Sequence, residues 1–306
     1  MRIILIGQQP FGQKVLEALL ARQEEVVGVY VAPEKQGQRP DPLKEAALAA
    51  GLPVFQPRSY RKPEVWEQVR SLAPDVGMMA YVTQFVPEEV LTIPTHGTFQ
   101  YHPSLLPRHR GPSSINWPII QGESRTGLTI FWPDNGLDTG PVLLQKEVEI
   151  GDDDTLGSLY FNKLFPMGVE AMLEALDLVK AGKAPRIAQD EAQATYEGWC
   201  KAEDVQIDWS RPANEVYNLI RGADPQPGAW TRHEGRMVQI FDCTKEPAQG
   251  GAAPGEVTRV DDGGFAVAVS DGQIAVRRLR VEGGPKQAAP EFARSAGLQP
   301  GTRLGD

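Results

Sequence analysis

The sequence predicts an α/β fold in which a mostly parallel, Rossmann-like sheet is followed by a small β-barrel domain. Through residues 1–81, short apolar runs alternate with helical periodicity, a pattern typical of right-handed βαβ units and a parallel sheet. Beyond residue 230, short strands separated by glycine turns recur at even spacing, as in a small barrel or sandwich. The 306 residues suffice for two domains, which we expect at 1–182 and 205–306 with a linker at 183–204.

The N-terminal domain is expected to begin with strands and helices in regular alternation. The expected strands are Arg2–Gly7, Glu25–Val31, Pro53–Phe55 and Val76–Tyr81. The expected helices are Phe11–Arg22, an alanine-rich helix that ends near Gly51, and Pro63–Leu72. Gly7 and Gly12 flank the start of the first helix, but they lack the GxGxxG spacing, and no Lys-Ser/Thr pair follows to form a P-loop. We therefore expect a tight strand-to-helix turn there, and no bound NAD or ATP.

Two stretches in the middle of the chain contain the candidate catalytic residues. The strand Thr98–Tyr101 delivers His102, and the proline that follows ends regular structure because it fixes φ and lacks a backbone donor. A second strand, Leu128–Trp132, precedes the turn DNGLDTG that presents Asp138. A histidine and a carboxylate at the ends of adjacent strands are well placed for proton transfer in a crevice of the sheet.

A strand at Val142–Ile150 is expected to lead into a long helix that begins after Thr155 and ends near Gly182. The three carboxylates Asp152–Asp154 directly precede this helix. Helix capping and a favourable interaction with the helix dipole explain these carboxylates better than a metal site does.

The C-terminal domain is expected to start with one helix and continue as strands. Ser210 is expected to cap the helix Pro212–Arg221, which Gly222 stops. The expected strands are Met237–Asp242, Gly255–Val260, Gly264–Val269 and Gln273–Val281.

The composition is that of an ordinary globular protein. The formal net charge of −9 argues against a general affinity for nucleic acid, because phosphate binding draws on clustered Lys and Arg. The only cysteines, Cys200 and Cys243, lack CxxC spacing, so we expect reduced thiols, no metal and a cytoplasmic location. The apolar run Met1–Gly7 is not a secretory segment, and no stretch is long enough to span a membrane.

The central stretches also resemble a known family. The resemblance rests on His102 followed by SLLPRHRG, INW at 115–117, IFW at 130–132, GLDTG at 136–140, LLQKE at 143–147, ATYEG at 194–198 and the RG…PGAW run at 221–230. On these motifs the chain is identified as a member of the formyltransferase superfamily. It is most similar to the hydrolase domain that begins 10-formyltetrahydrofolate dehydrogenase, and it is related to methionyl-tRNA formyltransferase. The resemblance covers nearly the whole chain and implies the formyltransferase fold, with an open, OB-like barrel at the C-terminal end.

The resemblance implies a one-carbon folate enzyme that takes its formyl group from 10-formyltetrahydrofolate and needs neither a metal nor NAD(P). By that resemblance His102 donates to the developing oxyanion, and Asp138 orients it or takes the proton of the nucleophile. Gln100 stands where amine-acceptor members carry asparagine and the dehydrogenase's hydrolase domain carries isoleucine, and its amide can share the oxyanion hole. The residues implied to contact folate are Phe85, Val86, Ser104, Leu105, Leu106, Pro107, Arg108, Arg110, Gly111, Asp134, Gly136 and Leu137.

The formyl acceptor stays open between water and an amine. The closest overall resemblance slightly favours water, whereas the polar Gln100 favours an amine such as methionyl-tRNA or an amino sugar. The acidic total and the short segment EKQGQRPDP, whose cations are Lys35 and Arg39, disfavour tRNA. The chain has no aldehyde-dehydrogenase-like domain after the barrel, so no NADP-dependent reaction is expected of it. A non-catalytic folate-binding protein is a third hypothesis, which the intact histidine and aspartate oppose.

Overall fold

A seven-stranded sheet organises the N-terminal half of the chain. The computed structural model describes residues 1–35 and 37–305. The strands of the sheet are β1 (Arg2–Gly7), β2 (Glu25–Tyr30), β3 (Val54–Phe55), β4 (Val76–Ala80), β5 (Thr98–His102), β6 (Arg125–Phe131) and β7 (Val142–Glu149). They lie in the order β3-β2-β1-β4-β5-β6-β7, with parallel pairing from β3 to β5 and antiparallel pairing of β5 with β6. The predicted mostly parallel α/β sheet is confirmed.

A helix follows each of the strands β1 to β5, whereas β6 and β7 follow each other directly. The α-helices are α1 (Gln9–Ala21), α2 (Pro42–Ala49), α3 (Pro63–Ser71), α4 (Glu88–Leu91), α5 (Asn116–Ile120), α6 (Leu156–Leu159), α7 (Phe165–Lys180), α8 (Ala213–Gly222) and α9 (Ala289–Ser295). A π-helical turn, Tyr160–Leu164, joins α6 to α7, so the long helix predicted after Thr155 is interrupted. Among the described residues, no helix combines the length and the apolar character needed to cross a bilayer.

The two faces of the sheet pack into separate cores. On one face, Phe11 of α1 joins Phe99 and Tyr101 of β5 in a single apolar cluster. Phe11 stacks on Tyr101 with the ring centroids 4.3 Å apart. The alternate residues of β1 turn the other way, so that Ile4 lies in a second cluster with Tyr30. Side chains alternate along a strand, so Gln100, which lies between Phe99 and Tyr101, points to the opposite face of the sheet.

The turn from β1 into α1 is tight, as predicted. A Cβ on Gly7 would lie 2.5 Å from the carbonyl oxygen of Ala80, so only glycine fits there. The first amide of α1, that of Gln9, donates to both carboxylate oxygens of Asp41 at 2.9 Å. Asp41 is buried and also accepts from the amide of Leu43 at 2.9 Å, which caps α2. One carboxylate therefore satisfies the N-termini of two helices.

Two predicted helix caps are wrong in detail. Thr155 caps α6 through a reciprocal pair of bonds with Ser158, whereas the nearby Asp153 accepts from the hydroxyl of Tyr217 at 2.7 Å. Ser210 does not cap α8, because its hydroxyl donates to Asp208 at 2.6 Å.

The amide at the start of α8 donates instead to Asp271 at 2.7 Å. In this case the capping oxygen comes from a residue far along the chain, which a local sequence pattern does not reveal.

The C-terminal part forms two antiparallel sheets of four strands each, consistent with the predicted small barrel. Their strands are β8 (Trp230–His233), β9 (Arg236–Ile240), β10 (Cys243–Glu246), β11 (Val257–Asp261), β12 (Gly264–Ala268), β13 (Gln273–Val276), β14 (Arg278–Val281) and β15 (Lys286–Ala288). The orders are β10-β13-β12-β11 and β15-β14-β9-β8. The single strand predicted over Gln273–Val281 is wrong: it divides at Arg277, whose amide bonds to the carbonyl of Asp242, and its halves join different sheets. β8, β10, β15 and α9 were not predicted.

The chain divides into two compact units that do not follow its order strictly. The first unit contains Met1–Gly111, Gly127–Val148 and Phe161–Tyr196, and the second contains Pro112–Thr126, Glu149–Tyr160 and Glu197–Asp306. Every contact described below for the candidate site lies within the first unit.

Candidate active site

His102 ends β5 on the sheet face opposite the Phe99 and Tyr101 core. Because side chains alternate along a strand, Gln100 and His102 share this second face. In the antiparallel pairing with β6, Gln100 lies opposite Phe131 and His102 opposite Thr129. The imidazole meets Phe131 edge-on, with centroids 6.5 Å apart and planes at 86°. The histidine is therefore held between strand and loop with only 5% of its surface exposed.

One ring nitrogen of His102 makes a hydrogen bond within the protein. Nε2 lies 2.8 Å from the carbonyl oxygen of His109. A carbonyl can only accept, so Nε2 carries the proton in this bond. His109 itself has φ 55, the left-handed region that non-glycine residues adopt infrequently. Nδ1 is consequently the nitrogen that remains for chemistry.

Asp138 faces that nitrogen. Its Oδ2 lies 3.7 Å from Nδ1 of His102 and accepts from the amide of Gly111 at 2.9 Å. The two side chains are nearly buried, with 7% and 10% of their surfaces exposed. Asp138 has φ 57, a left-handed conformation that aspartate tolerates better than most residues. The structure thus places the side chains of His102 and Asp138 next to each other, and their catalytic roles stay a prediction.

His102 and Asp138 do not meet at the ends of adjacent strands, as was predicted. β6 runs antiparallel to β5, so its carboxyl end lies beside the middle of β5 and not beside His102. The loop of residues 133–140 must fold back to bring Asp138 to the end of β5. Gly140 permits this path, because a Cβ there would lie 1.8 Å from the carbonyl oxygen of Trp132. The loop, rather than the strand ends, brings the pair together.

Gln100 has an amide available for a ligand. The residue is half-buried, and within the part of the chain that the structure describes its side chain has no hydrogen-bond partner. An amide group presents two N–H donors and one acceptor oxygen. Gln100 thus adds an uncommitted donor to the face that carries His102.

The SLLPRHRG loop is fixed by Ser104 within it and by polar side chains of β6 and β7. Ser104 is buried and donates to the carbonyl of Arg108 at 2.6 Å. Thr129 donates to the carbonyl of Ser104 at 2.7 Å and accepts from the amide of Leu106 at 3.0 Å. Gln145 donates to Thr129 at 2.9 Å and to the carbonyl of Leu106 at 2.7 Å. Of the residues predicted to bind folate, the hydroxyl of Ser104 and the backbone amide and carbonyl of Leu106 therefore hold the loop itself, and Leu105 packs near Gly127.

Arg110 is also occupied within the protein. Its side chain is completely buried, and all five of its N–H groups donate within the chain. The acceptors are Oε1 of Gln189, both carboxylate oxygens of Glu191, and the hydroxyl of Tyr196. The hydrogen bond from Arg110 holds the pKa of Glu191 below its ordinary value. The predicted contact of Arg110 with folate is therefore replaced by a structural role, because no donor remains for a ligand carboxylate.

The segment predicted as a linker takes part in the site. Gln189 donates to the carbonyls of Asp138 at 2.9 Å and Gly140 at 2.7 Å. Its Oε1 accepts from Arg110, so one side chain joins the loop after β5 to the loop after β6. Thr195 bonds to the residues around His109. No periodic pattern in the sequence predicts these contacts, although ATYEG at 194–198 is one of the motifs that the chain shares with the family.

The remaining predicted folate residues lie along two neighbouring loops. Phe85 and Leu137 are exposed large apolar side chains, with 48% and 56% of their surfaces accessible. Asn135 donates to Glu88 at 2.8 Å, which connects the loop of Asp138 to the helix that follows Phe85. Two apolar side chains thus project from loops that are tied together.

Other predicted contacts have structural partners or are exposed. Asp134 is exposed and accepts from the amide of Gly136 at 2.9 Å and from Thr139 at 2.6 Å, forming a tight turn. Val86 is buried, and Arg108 is exposed. The amide of Gly111 serves Asp138 rather than a ligand.

Comparison with known proteins gives matches over almost the whole chain. The family profile described as "Formyl transferase" matches residues 1–176, and "Formyl transferase, C-terminal domain" matches residues 200–297. Human mitochondrial 10-formyltetrahydrofolate dehydrogenase is 42% identical over 308 residues, which cover 95% of this chain and 33% of that protein. The chain therefore spans about a third of the length of that relative. Methionyl-tRNA formyltransferase from Geotalea uraniireducens (strain Rf4) is 40% identical over 310 residues, which cover 100% of this chain and 98% of that protein.

Solved structures share the fold at lower identity. HypX from Aquifex aeolicus in complex with tetrahydrofolic acid superposes with a TM-score of 0.70 at 21% identity, covering 97% of this chain and 47% of that one. The N-formyltransferase from Helicobacter canadensis superposes with a TM-score of 0.67 at 19% identity, covering 90% of this chain and 98% of that one. At such identities the likeness supports the fold.

Proposed function

The chain belongs to the formyl transferase family, and on this basis we propose that it moves the formyl group of 10-formyltetrahydrofolate to water, releasing formate and tetrahydrofolate. The observation that carries the proposal is the pair formed by His102 and Asp138, 3.7 Å apart and nearly buried. Two separate loops bring this pair together, and each contains a residue in the left-handed conformation, His109 in one and Asp138 in the other. Strain of this kind is often found at functional sites.

The chemistry requires one attack and two proton movements. The oxygen of water adds to the formyl carbon, giving a tetrahedral intermediate with a negative oxygen. The bond from that carbon to N10 then breaks, N10 takes up a proton, and formate leaves. Asp138 is the group that takes the proton of the attacking water, a role worth about 10²–10⁴ in rate for a well-placed base.

His102 can stabilise the intermediate only through Nδ1, because Nε2 donates to the carbonyl of His109. Donation from Nδ1 to the oxyanion therefore uses the imidazolium form, in which both nitrogens carry protons. Before the attack, the Asp138 carboxylate provides the opposing negative charge at 3.7 Å, and after it takes the proton of water the oxyanion itself is the negative partner of the imidazolium. A neutral His102 with this arrangement would instead present a lone pair to the oxyanion.

Gln100 supplies the second oxyanion donor in this proposal. It lies on the same sheet face as His102, two residues earlier on β5, and its amide has no partner among the described residues. Removing one oxyanion donor costs on the order of 10²–10³ in turnover. Folate would lie against Phe85 and Leu137, the exposed apolar side chains of the flanking loops.

An amine acceptor is the second candidate, and Gln100 is the observation that favours it. An amide at this position has the donor and acceptor types of the asparagine expected in amine-acceptor members. Methionyl-tRNA formyltransferase from Geotalea is nearly as similar to this chain as the human dehydrogenase is. The net charge of −9 opposes a tRNA substrate, which leaves an amino sugar as the other amine to test. A folate-binding protein without turnover is the third candidate.

The test is release of tetrahydrofolate from 10-formyltetrahydrofolate by the purified chain, first without an acceptor and then with amines that include charged initiator tRNA and an amino sugar nucleotide. His102→Ala and Asp138→Asn should abolish turnover, whereas His96→Ala is the matched control because His96 is an exposed histidine. Turnover in buffer that disappears in both site variants supports hydrolysis. Turnover that needs an amine overturns the proposed acceptor.

Gln100→Asn and Gln100→Ile separate the two acceptors further. If water is the acceptor, Gln100→Ile should lower hydrolysis by about 10²–10³, the cost of one oxyanion donor, without abolishing it, since isoleucine is expected there in the hydrolase relative. If an amine is the acceptor, Gln100→Asn should retain transfer and Gln100→Ile should lose it. Folate binding without turnover under every condition would favour the third candidate.

A further inference from the structure

We propose that Thr195 is a positioning residue that sets the tautomer of His102 through the carbonyl group of His109. This proposal rests on the role of His102 proposed above: with the Nε2 proton held by the His109 carbonyl, Nδ1 is the nitrogen that takes up the second proton of the imidazolium and faces Asp138. Thr195 belongs to the ATYEG motif and lies outside the loops that carry the catalytic pair.

Thr195 contacts the loop at three successive points. Its amide donates to the carbonyl of Pro107 at 3.2 Å. Its hydroxyl oxygen accepts from the amide of His109 at 2.8 Å, and its carbonyl accepts from the amide of Arg110 at 3.0 Å. Thr195 therefore holds this part of the loop, together with Ser104, whose hydroxyl donates to the carbonyl of Arg108 at 2.6 Å and lies 3.4 Å from that of His109.

These bonds fix both peptide groups that flank the Cα atom of His109. The amide of His109 belongs to the peptide group before this atom, and Thr195 Oγ1 holds it. The amide of Arg110 belongs to the peptide group after it, and the Thr195 carbonyl holds that one. With both planes fixed, His109 is kept at φ 55 even though this conformation is unfavourable for a residue with a Cβ.

The fixed peptide group determines where the carbonyl oxygen of His109 points. In a peptide group the N–H and the C=O point in opposite directions, so binding the amide of Arg110 turns the His109 oxygen away from Thr195. That oxygen accepts from Nε2 of His102 at 2.8 Å. Because the acceptor is fixed, the proton stays on Nε2, and Nδ1 is directed at Asp138. The other tautomer would place two acceptors against each other at Nε2.

The hydroxyl of Thr195 can be removed without changing the side-chain volume. Thr195→Val keeps both backbone bonds but leaves the amide of His109 without its acceptor, so φ of His109 can relax from 55 and its Cα, to which the carbonyl group that faces Nε2 is attached, can shift. Thr195→Ser keeps the hydroxyl and is the conservative variant. Thr126→Val is the matched control, because Thr126 is buried and its hydroxyl has no partner among the described residues.

The test reads the tautomer directly. The chain has 4 histidines, so protein labelled with ¹⁵N-histidine gives few enough ring signals to assign, and His102→Ala identifies those of His102. Spectra recorded over a range of pH show which nitrogen carries the proton in the neutral ring. We expect Nε2–H in the wild type, Thr195→Ser and Thr126→Val, and a mixture of tautomers in Thr195→Val.

Kinetics provide the second readout. In Thr195→Val we expect kcat to fall by roughly 10- to 100-fold, as for a displaced catalytic group, with KM changed much less. Thr195→Ser should recover most of that loss. The proposal is overturned if the wild type has its proton on Nδ1, a measurement that needs no variant to fold. It is also overturned if Thr195→Val keeps the wild-type tautomer. If His102→Ala retains full turnover, the proposed function of His102 fails while the tautomer result stands by itself.

Discussion

Replacing Gly140 with alanine tests whether the path of the Asp138 loop is what makes the site. The new Cβ would lie 1.8 Å from the carbonyl oxygen of Trp132, and such atoms essentially never approach within 3.0 Å, so the backbone must shift by at least about 1.2 Å. The obstacle is a backbone atom and cannot rotate away. Gly140 is also held by Gln189, which bonds to its carbonyl at 2.7 Å.

The consequence of that shift is expected at Asp138, which lies two residues earlier on the same loop. A displacement of about 1 Å in a catalytic group costs on the order of 10² in rate, so we expect kcat for tetrahydrofolate release to fall by about that factor. Overpacking of this kind also lowers the free energy of unfolding by about 1–3 kcal/mol. The protein should therefore remain folded while it loses activity.

The assay compares kcat, KM and urea unfolding for Gly140→Ala and for Gly251→Ala. A Cβ on Gly251 would meet nothing within 4 Å, so this control should behave as the wild type. A kcat for Gly140→Ala within a few-fold of the wild type would refute the reasoning, provided that Asp138→Asn is inactive. If Asp138→Asn is itself active, the role of the aspartate is wrong and the steric argument stays untested by kinetics.

Three further predictions concern groups around the site and in the C-terminal part. The hydrogen bond from Arg110 lowers the pKa of Glu191 in the folded protein. The ion pair of these two residues therefore stabilises the fold fully above the ordinary glutamate pKa of about 4.3, and this stabilisation is lost as the pH falls through the lower pKa of the folded state. Urea unfolding should therefore show Glu191→Gln to be less stable than the wild type at neutral pH and equally stable in acid; a difference that persists in acid would contradict this. Burial raises the pKa of the Cys200 thiol to about 11, so iodoacetamide should alkylate it much more slowly at neutral pH than it alkylates a free cysteine, and fast labelling would show that the thiol is accessible as thiolate. Asp271→Ala should lower the free energy of unfolding by about 0.5–2 kcal/mol, because it removes the cap of α8, and Ser210→Ala should lower it much less. The reverse order would show that Ser210 is the cap, as the sequence predicted.

The sequence was informative wherever local periodicity decides the structure. Apolar runs and glycine turns predicted the parallel sheet and most of the barrel strands, because buried strands and tight turns depend on neighbouring residues. The same alternation places Gln100 beside His102 on one face of β5. The division of Gln273–Val281 was missed because the residues on both sides of Arg277 are equally suited to a strand.

The supporting contacts of the site could not be predicted in this way. Gln189 and Arg110 are 79 positions apart in sequence, and their contact is made by two side chains in irregular segments. From the sequence, Arg110 was predicted to bind a ligand, because a charged side chain is usually exposed to solvent. Its five bonds become visible only when Glu191 and Tyr196 are placed around it.

Asp41 gives the N-terminus of α1 a permanent anion that belongs to the chain. In dinucleotide-binding sheets the corresponding amides bind a phosphate, which completes the helix end only when the ligand arrives. Here the amide of Gln9 already has both carboxylate oxygens as acceptors. An incoming phosphate would meet a like charge instead of an unoccupied donor. The carboxylate of Asp41 thus takes the place at this helix N-terminus that a nucleotide phosphate takes in dinucleotide-binding sheets.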